Sequence, residues 1–261
     1  MPTRSGNPAL QNSPAETRYD GHSAESLAML LGVPAVELRG SVPSTLDVAH
    51  DLAAHRAAAG TLVLADTQTA GRGRQGRRWH SEPGRGIWLT LIERPTDVSA
   101  LDVLSLRVGL GAARALDDLA PERIRLKWPN DLFVRDGKLA GVLVEARWRE
   151  GTVEWVAIGL GLNVRPPTLM PTAASLQPGV PRLAALGRLV PALRDAARRT
   201  GPLDRDEMAA FAERDLARGR NAREPLAGKV AGIDPSGALL VHTSEGLRAA
   251  RAGSLVFQED R

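Results

Sequence analysis

Two short apolar runs, TLVLAD at residues 61–66 and IWLTLI at residues 87–92, are separated by a long segment rich in glycine and arginine. Both runs consist of the apolar and β-branched residues that buried strands favour. The segment between them, TQTAGRGRQGRRWHSEPGRG, has no apolar periodicity and predicts a loop. The chain must therefore fold so that two buried strands carry a long cationic loop between them.

Helical and strand patterns continue along the rest of the chain. Apolar residues recur at helical spacing in residues 44–58, where Ser44 or Thr45 suits the capping position. Helical spacing also predicts one short helix within residues 23–40, a long helix from Leu101 to Leu119, and helices at residues 182–199 and 204–218. Strands are expected at residues 124–127, 132–134, 139–147 and 153–164.

The two ends of the chain differ from its middle. Residues 1–22 are polar and rich in Pro, Asn, Ser and Gly, which predicts a flexible tail. Beyond Arg223, short strands alternate with Gly, Asp and Pro turns, which predicts a small β-barrel. We therefore expect a tail at 1–22, a main domain at 23–220 and a small domain at 221–261.

The absence of cysteine excludes several kinds of chemistry. Disulfides, cysteine-ligated zinc, iron–sulfur clusters and a thiol nucleophile all require this residue. No apolar stretch is long enough to cross a bilayer, and the N-terminal residues lack the apolar region of a secretory signal. A cytoplasmic enzyme that uses none of these groups is the simplest interpretation.

Arginine dominates the basic residues, because only three of the 34 are lysine. The formal net charge is +4, so the chain is weakly basic. That charge permits an acidic protein or a nucleic acid as partner and requires neither.

The glycine–arginine loop, defined here as residues 71–79 (GRGRQGRRW), is the first motif that carries chemistry. Its glycines allow the backbone to fold closely around a ligand and to present N–H donors to an anion. Its arginines add forked donors that suit carboxylates and phosphates. The alternatives are a basic loop for nucleic acid and an ordinary solvated loop. It is neither a Walker A loop nor a dinucleotide fingerprint, because the required lysine and the following helix are absent.

Two of the three lysines, Lys127 and Lys138, lie in neighbouring motifs, KWPND at 127–131 and KLAGVLVE at 138–145. A compact ammonium can approach one oxygen of a reacting phosphate more closely than a guanidinium can. The alternative is that both are ordinary residues at strand ends. A third motif, GLGLN at 159–163, indicates either close approach of the backbone to a ligand or a bulge in a core strand.

Together, the loop, KWPND, KLAGVLVE and GLGLN resemble the biotin–protein ligases, in order from about residue 42 to residue 165. The resemblance implies an α+β fold, with a mixed sheet and flanking helices in the catalytic domain and a small C-terminal SH3-like β-barrel. It implies an ATP-dependent enzyme that activates biotin as biotinyl-5′-AMP and transfers biotin to a lysine of a biotin carboxyl carrier protein, using Mg²⁺. The related octanoyltransferases and lipoate ligases are disfavoured, because the former use a cysteine and the latter lack the loop.

The resemblance also implies roles for individual residues. The expected catalytic residues are Arg74, Lys127 and Lys138. The expected biotin contacts are Ser44, Thr45, Gln68, Gly71, Arg72, Gly73, Arg74, Trp79, Lys138, Gly141, Gly159 and Gly161. The expected ATP contacts are Arg74, Arg77, Lys127, Asn130 and Asn163, with Asp131 as the metal ligand. The family usually has asparagine where this chain has Leu46, so a polar contact at that position is not expected.

The same resemblance sets expectations about partners and dynamics. The expected partner is the carrier domain of a carboxylase, and the enzyme is expected to be a monomer or a homodimer without membrane contact. About 40 residues precede Ser44, too few for a helix-turn-helix, so no DNA binding is expected. Residues 71–80 are expected to be mobile without ligand and ordered with it. The competing hypotheses are an Arg/Gly nucleic-acid module and a lipoate-ligase-like enzyme.

Overall fold

The structure, a computed structural model, describes residues 17–259. Within that range, seven strands form one sheet in the order β1-β2-β3-β7-β6-β5-β4. They are β1 (Val36–Val42), β2 (Leu62–Gln68), β3 (Gly86–Glu93), β4 (Arg125–Lys127), β5 (Asp131–Val134), β6 (Gly137–Arg149) and β7 (Thr152–Asn163). β1 and β2 are parallel, and the other neighbouring pairs are antiparallel. The predicted mixed sheet is confirmed.

Helices cover both faces of this sheet. They are α1 (Ala24–Leu31), α2 (Thr45–Ala54), α3 (Leu104–Leu116), α4 (Arg182–Arg198) and α5 (Arg205–Ala212). Because side chains alternate along a strand, Leu62 and Leu64 of β2 join the core formed with α1, α3 and α4, whereas Val63 packs against Ala49 and Ala53 of α2. Between residues 17 and 259, no helix has the length and apolar character needed to span a bilayer.

A second, antiparallel sheet follows near the C-terminus. Its strands β8 (Asn221–Glu224), β9 (Gly228–Ile233), β10 (Leu239–Thr243), β11 (Gly246–Ala250) and β12 (Val256–Phe257) lie in the order β11-β10-β9-β8-β12. The expected small β-domain is therefore present, although the predicted boundary at 220/221 stays a prediction. The indole Nε1 of Trp128 donates to the carbonyl oxygen of Gly237 at 2.9 Å, which joins this sheet to the KWPND motif.

Residues 17–22 differ from the prediction of a flexible tail, whereas residues 1–16 lie outside the described range. Tyr19 is buried, and its hydroxyl donates to the Gly86 carbonyl oxygen at 3.3 Å. The Arg182 guanidinium lies 4.0 Å from the Tyr19 ring centroid and forms ion pairs with Asp20 and Asp66. This buried arginine therefore anchors the described part of the predicted tail.

Two further elements differ from their predictions. β1 was not expected, because the half-polar sequence VELRGSV lacks a clear apolar pattern. α5 ends at Ala212 rather than near residue 218. The chain turns there because Arg214 binds Asp117, with its Nη2 at 2.6 Å from Oδ2, and the following backbone pairs with Leu126.

Candidate active site

Glycines on β6 and β7 form the floor of a cavity of about 120 Å³, on the sheet face that α2 covers. Gly141 and Gly161 are paired across the two strands. A Cβ on Gly161 would lie 2.5 Å from Cε2 of Trp79, and one on Gly159 would lie 3.2 Å from Cγ of Leu46. These contacts show why the GLGLN strand needs glycine here: its neighbours pack directly on the backbone.

One end of the cavity is a network of neutral hydrogen-bonding groups. The Gln68 Oε1 accepts from the Thr45 backbone N–H at 2.9 Å and from the Thr45 hydroxyl at 3.2 Å. The Thr45 Oγ1 accepts from Thr90 at 2.9 Å, and the Gln68 Nε2 donates to Ser81 Oγ at 3.0 Å. Ser44 caps α2 as predicted, because its Oγ accepts from the Leu46 N–H. This end suits a neutral polar group.

The glycine–arginine loop folds back on itself over the cavity. The Trp79 N–H donates to the Gly71 carbonyl oxygen at 2.8 Å, and the Gly73 N–H donates to that of Arg77 at 2.7 Å. A side chain on Gly71 would collide with the Trp79 carbonyl oxygen, since its Cβ would lie 2.6 Å away. The loop therefore brings Arg72, Gly73, Arg74, Arg77, Arg78 and Trp79 to the cavity lining.

Arg74 carries a positive charge that lacks a close counter-charge. Burial and the neighbouring charge of Arg77 lower the pKa of the Arg74 guanidinium, and Asp131 has a smaller opposite effect. Within residues 17–259, no carboxylate forms an ion pair with Arg74. An anion bound here would offset the repulsion between the Arg74 and Arg77 charges, so the position favours a carboxylate or a phosphate.

Lys138 supplies a second cation beside the loop. Its Nζ lies 2.7 Å from Oδ1 of Asp131 and 5.2 Å from the Trp79 ring centroid. A Cβ on Gly141 would lie 3.3 Å from that Nζ, so the ammonium sits directly above the glycine floor. Asn130, which also lines the cavity, is oriented by donating from Nδ2 to the Val142 carbonyl oxygen at 2.6 Å.

Three of the expected site residues, Gly71, Lys127 and Asn163, do not line this cavity. The Lys127 Nζ lies 4.7 Å from the Phe257 ring centroid, toward the C-terminal sheet. Asn163 is buried, and its Nδ2 donates to the carbonyl oxygens of Lys138 and Ala174. Asn163 thus holds the strand that carries Lys138, and its expected contact with nucleotide stays a prediction.

Sequence reasoning missed several residues that shape the site. Thr90 is fully buried within the apolar run IWLTLI, and a polar residue at a buried strand position is a signal that could have identified it. Ser81 and Arg78 lay within the predicted loop but carried no distinguishing pattern. Glu145 binds Arg72 and is itself bound by His50, which in turn accepts from Trp155. These three residues come from distant parts of the chain, and no local pattern could identify them.

The arrangement combines three chemical environments in one cavity. Across the strand order β2-β3-β7-β6, the neutral Gln68 lies on β2, the glycines under the Trp79 indole lie on β7 and β6, and Lys138 lies on β6 beside Asp131, whose charge also acts on Arg74. Such a cavity fits a ligand with a neutral polar head, an apolar middle and an anionic end. The charges of Lys138 and Arg74 also suit a reaction between two anions.

Comparisons with known proteins agree with this geometry. Residues 40–163 match the family model described as "Biotin/lipoate A/B protein ligase family", and residues 220–257 match "Biotin protein ligase C terminal domain". The chain is 34% identical over 226 residues to the bifunctional ligase/repressor BirA of Bacillus subtilis (strain 168), covering 78% of this chain and 68% of the relative. It is 31% identical over 225 residues to the biotin–[acetyl-CoA-carboxylase] ligase of Paracoccus denitrificans, covering 75% of this chain and 89% of that protein.

A solved structure supports the same assignment. The biotin protein ligase from Aquifex aeolicus in complex with biotin and ATP superposes with a TM-score of 0.69 at 26% identity, covering 85% of this chain and 98% of that one. The matches to the two family models reach both sheets, and they favour neither the nucleic-acid module nor the lipoate-ligase-like enzyme. The chain belongs to the biotin protein ligase family.

Proposed function

We propose that this protein is a biotin–[biotin carboxyl carrier protein] ligase, which forms biotinyl-5′-AMP from biotin and ATP and then biotinylates a lysine of a carrier domain. The observation that carries the proposal is the single cavity that joins the Thr45–Gln68 hydrogen-bonding end to the Lys138–Arg74 cationic end. Biotin has a neutral ureido head, an apolar ring and chain, and a carboxylate tail. Its three parts match the three environments of the cavity.

In the first half-reaction, the biotin carboxylate attacks the α-phosphorus of ATP, and pyrophosphate leaves. The carboxylate is already ionised at neutral pH, so the step needs no general base. It does require two anions to meet, and Lys138 and Arg74 supply the positive charge that reduces their repulsion. Thr45 and Gln68 would hold the ureido group, so that the carboxylate is presented at the cationic end.

In the second half-reaction, the amine of the carrier lysine attacks the acyl carbonyl of the adenylate, AMP leaves, and the amine loses a proton to solvent. The adenylate is a mixed anhydride with a good leaving group, so no covalent enzyme intermediate is needed. Water would hydrolyse it. The loop, which folds over the cavity, would exclude water until the carrier arrives.

Asp131 is the residue that would hold a magnesium ion, together with the phosphates of the nucleotide. In the part of the chain from 17 to 259, no group of three His, Cys, Asp or Glu side chains gathers to hold a metal. Asp131 offers one carboxylate at the cavity, and Mg²⁺ commonly binds one protein carboxylate together with substrate phosphates. The ion, when bound, would neutralise phosphate charge.

Other roles rest on the family resemblance. Arg77 and Asn130 line the cavity and would contact the nucleotide. Lys127 would contribute only if bound ATP extends toward the C-terminal sheet. Several further points stay predictions: a carboxylase carrier domain as partner, a cytoplasmic location, a monomeric or homodimeric state, and the absence of DNA and membrane binding.

Mass spectrometry tests the proposed function directly. The protein is incubated with biotin, MgATP and an isolated carrier domain, and the carrier is expected to gain one biotinyl group on one lysine. Without carrier, biotinyl-AMP and pyrophosphate are expected in equal amounts. An unmodified carrier together with no pyrophosphate release would refute the proposal.

The glycine floor gives a separate prediction. We expect Gly161→Ala to weaken biotin binding by about tenfold or more, because its Cβ would lie 2.5 Å from Trp79 and overpacking typically costs about 1–3 kcal/mol. Calorimetric titration with biotin measures the effect. Gly187→Ala on α4 is the matched control, since nothing lies within 4 Å of its added Cβ. Unchanged affinity in Gly161→Ala would show that Trp79 does not shape the biotin site.

A further inference from the structure

Four side chains form a hydrogen-bonded chain from the sheet to the glycine–arginine loop. We name Trp155, His50, Glu145 and Arg72 the Arg72 anchor. The Trp155 Nε1 lies 3.0 Å from His50 Nδ1, and His50 Nε2 lies 2.8 Å from Glu145 Oε2. The Arg72 Nη2 then donates to the same Glu145 oxygen at 3.2 Å. Neither half of the proposed reaction uses His50, Glu145 or Trp155.

The hydrogen-bond partners of His50 determine which of its two ring nitrogens carries the proton. An indole N–H only donates, so His50 Nδ1 accepts from Trp155 and carries no proton. The proton is therefore on Nε2, and a neutral His50 donates to Glu145. His50 is 8% exposed and Trp155 is 9% exposed, so this tautomer is held inside the protein. The His50 hydrogen bond, more than the charge of Arg72, lowers the pKa of Glu145 against the effect of burial.

The Arg72 anchor lies at the base of the loop and next to the neutral end of the cavity. Arg72 pairs with Arg78 across the loop through a backbone bridge. Its guanidinium also lies 3.1 Å from Asp47 Oδ1 on α2, the helix that begins at Thr45. One guanidinium thus ties the loop both to β6, through Glu145, and to the helix that presents Thr45 to the cavity.

We propose that Glu145, oriented by neutral His50, is a positioning residue that holds the glycine–arginine loop over the cavity through Arg72 and so sets how long the acyl adenylate is retained. The inference rests on the proposed function. Because its guanidinium binds two carboxylates, Arg72 fixes the loop, whereas Arg74 remains available to an anion. Opening of the loop requires Arg72 to leave Glu145.

Hydrogen exchange and adenylate release test the anchor in the full-length protein. Glu145→Gln keeps the shape but removes the charge, and a charge-assisted hydrogen bond is worth more than a neutral one. We expect about five- to tenfold faster exchange of the amides of residues 71–79 in the unliganded protein. We expect release of preformed biotinyl-AMP to accelerate by a similar factor, while the single-turnover rate of adenylate formation at saturating substrates changes by less than about threefold.

Further variants separate positioning from a general loss of structure. His50→Phe keeps a ring against Trp155 but removes the donor, so we expect a smaller change in the same direction. Glu122→Gln is the matched control, because Glu122 pairs with Arg135 at 2.6 Å on the exposed surface; it is expected to leave exchange and release unchanged. Thermal unfolding confirms that each variant is folded.

A double-variant comparison completes the test. If Glu145 acts through Arg72, the combined Glu145→Gln/Arg72→Gln variant exchanges no faster than the faster single variant. Wild-type exchange in Glu145→Gln, or additive effects in the double variant, overturns the proposal. If the wild-type protein forms no adenylate, the proposed function fails, and exchange in the unliganded protein still decides whether the anchor holds the loop.

Discussion

Lys138→Met is expected to slow biotinyl-AMP formation by about a hundred- to thousandfold, the loss typical of removing one preorganised electrostatic group. The Lys138 ammonium lies above the glycine floor and beside Asp131, at the end of the cavity where the carboxylate and the α-phosphate would meet. Methionine keeps the unbranched side chain as far as the position of the lysine Cε and removes the charged group. Lys138→Arg is not expected to restore activity, because the larger guanidinium would have to fit in the same confined space.

The rate of pyrophosphate release in a single turnover measures this loss. Transfer from synthetic biotinyl-AMP to the carrier is expected to fall much less, because that step joins a neutral amine to a carbonyl rather than two anions. Lys229→Met is the matched control, since this lysine is exposed on β9, away from the cavity. Adenylate formation at the wild-type rate in Lys138→Met would contradict the assigned role.

Local patterns predicted most of the main sheet. β3, β5 and β7 lie within two residues of their predicted positions, because apolar runs bounded by Gly, Pro and Asp define both the type and the ends of a strand. β1 was not predicted, because it is an edge strand with a half-polar sequence and forms only by pairing with β2. The packing of residues 17–22 was not predicted for a related reason, because it depends on Arg182, which is far away in the sequence.

The candidate site likewise has parts that local sequence patterns predict and parts that depend on the fold. The motifs that line the cavity are contiguous stretches, and their glycines, lysines and arginines were recognisable one motif at a time. The contacts that orient them are not local: Thr90 binds Thr45 across 45 residues, and Glu145 binds His50 across 95. Only the fold brings such pairs together. For the same reason, sequence alone could not show that Lys127 lies toward Phe257, outside the cavity lining.

A buried ion pair between α3 and α5 gives the largest expected effect on stability. The Arg107 Nε lies 2.7 Å from Glu207 Oε1, and its Nη2 lies 2.9 Å from Oε2. Both side chains are 3% exposed, and Arg199 approaches the same carboxylate at 2.7 Å. Burial raises the pKa of Glu207, but hydrogen bonds from Arg107, from the Asp204 backbone and from Arg199 outweigh it and lower the pKa to about 2.

Glu207→Ala is expected to lower the free energy of unfolding by about 3–5 kcal/mol at neutral pH, because it leaves the Arg107 charge buried without its partner. Denaturant titration measures the change. Glu213→Ala is the matched control: its pair with Arg123 is exposed, and such pairs contribute only about 0–1 kcal/mol. Replacing both partners by apolar residues, as Arg107→Met/Glu207→Leu, is expected to recover much of the loss, since no charge then remains buried. A Glu207→Ala variant as stable as the control would contradict this account.

The same ion pair predicts how stability depends on pH. The pKa of Glu207 is about 2 in the folded protein and close to its ordinary value of 4.5 in the unfolded chain. Because the folded state binds the proton less readily, the contribution of the carboxylate is fully present above the unfolded pKa and is lost as pH falls from there toward 2. As pH falls through this range, the free energy of unfolding of the wild type should therefore decrease relative to that of the Arg107→Met/Glu207→Leu variant. A difference that stays constant from neutral pH to pH 2 would show that Glu207 does not titrate as its contacts with Arg107 and Arg199 require.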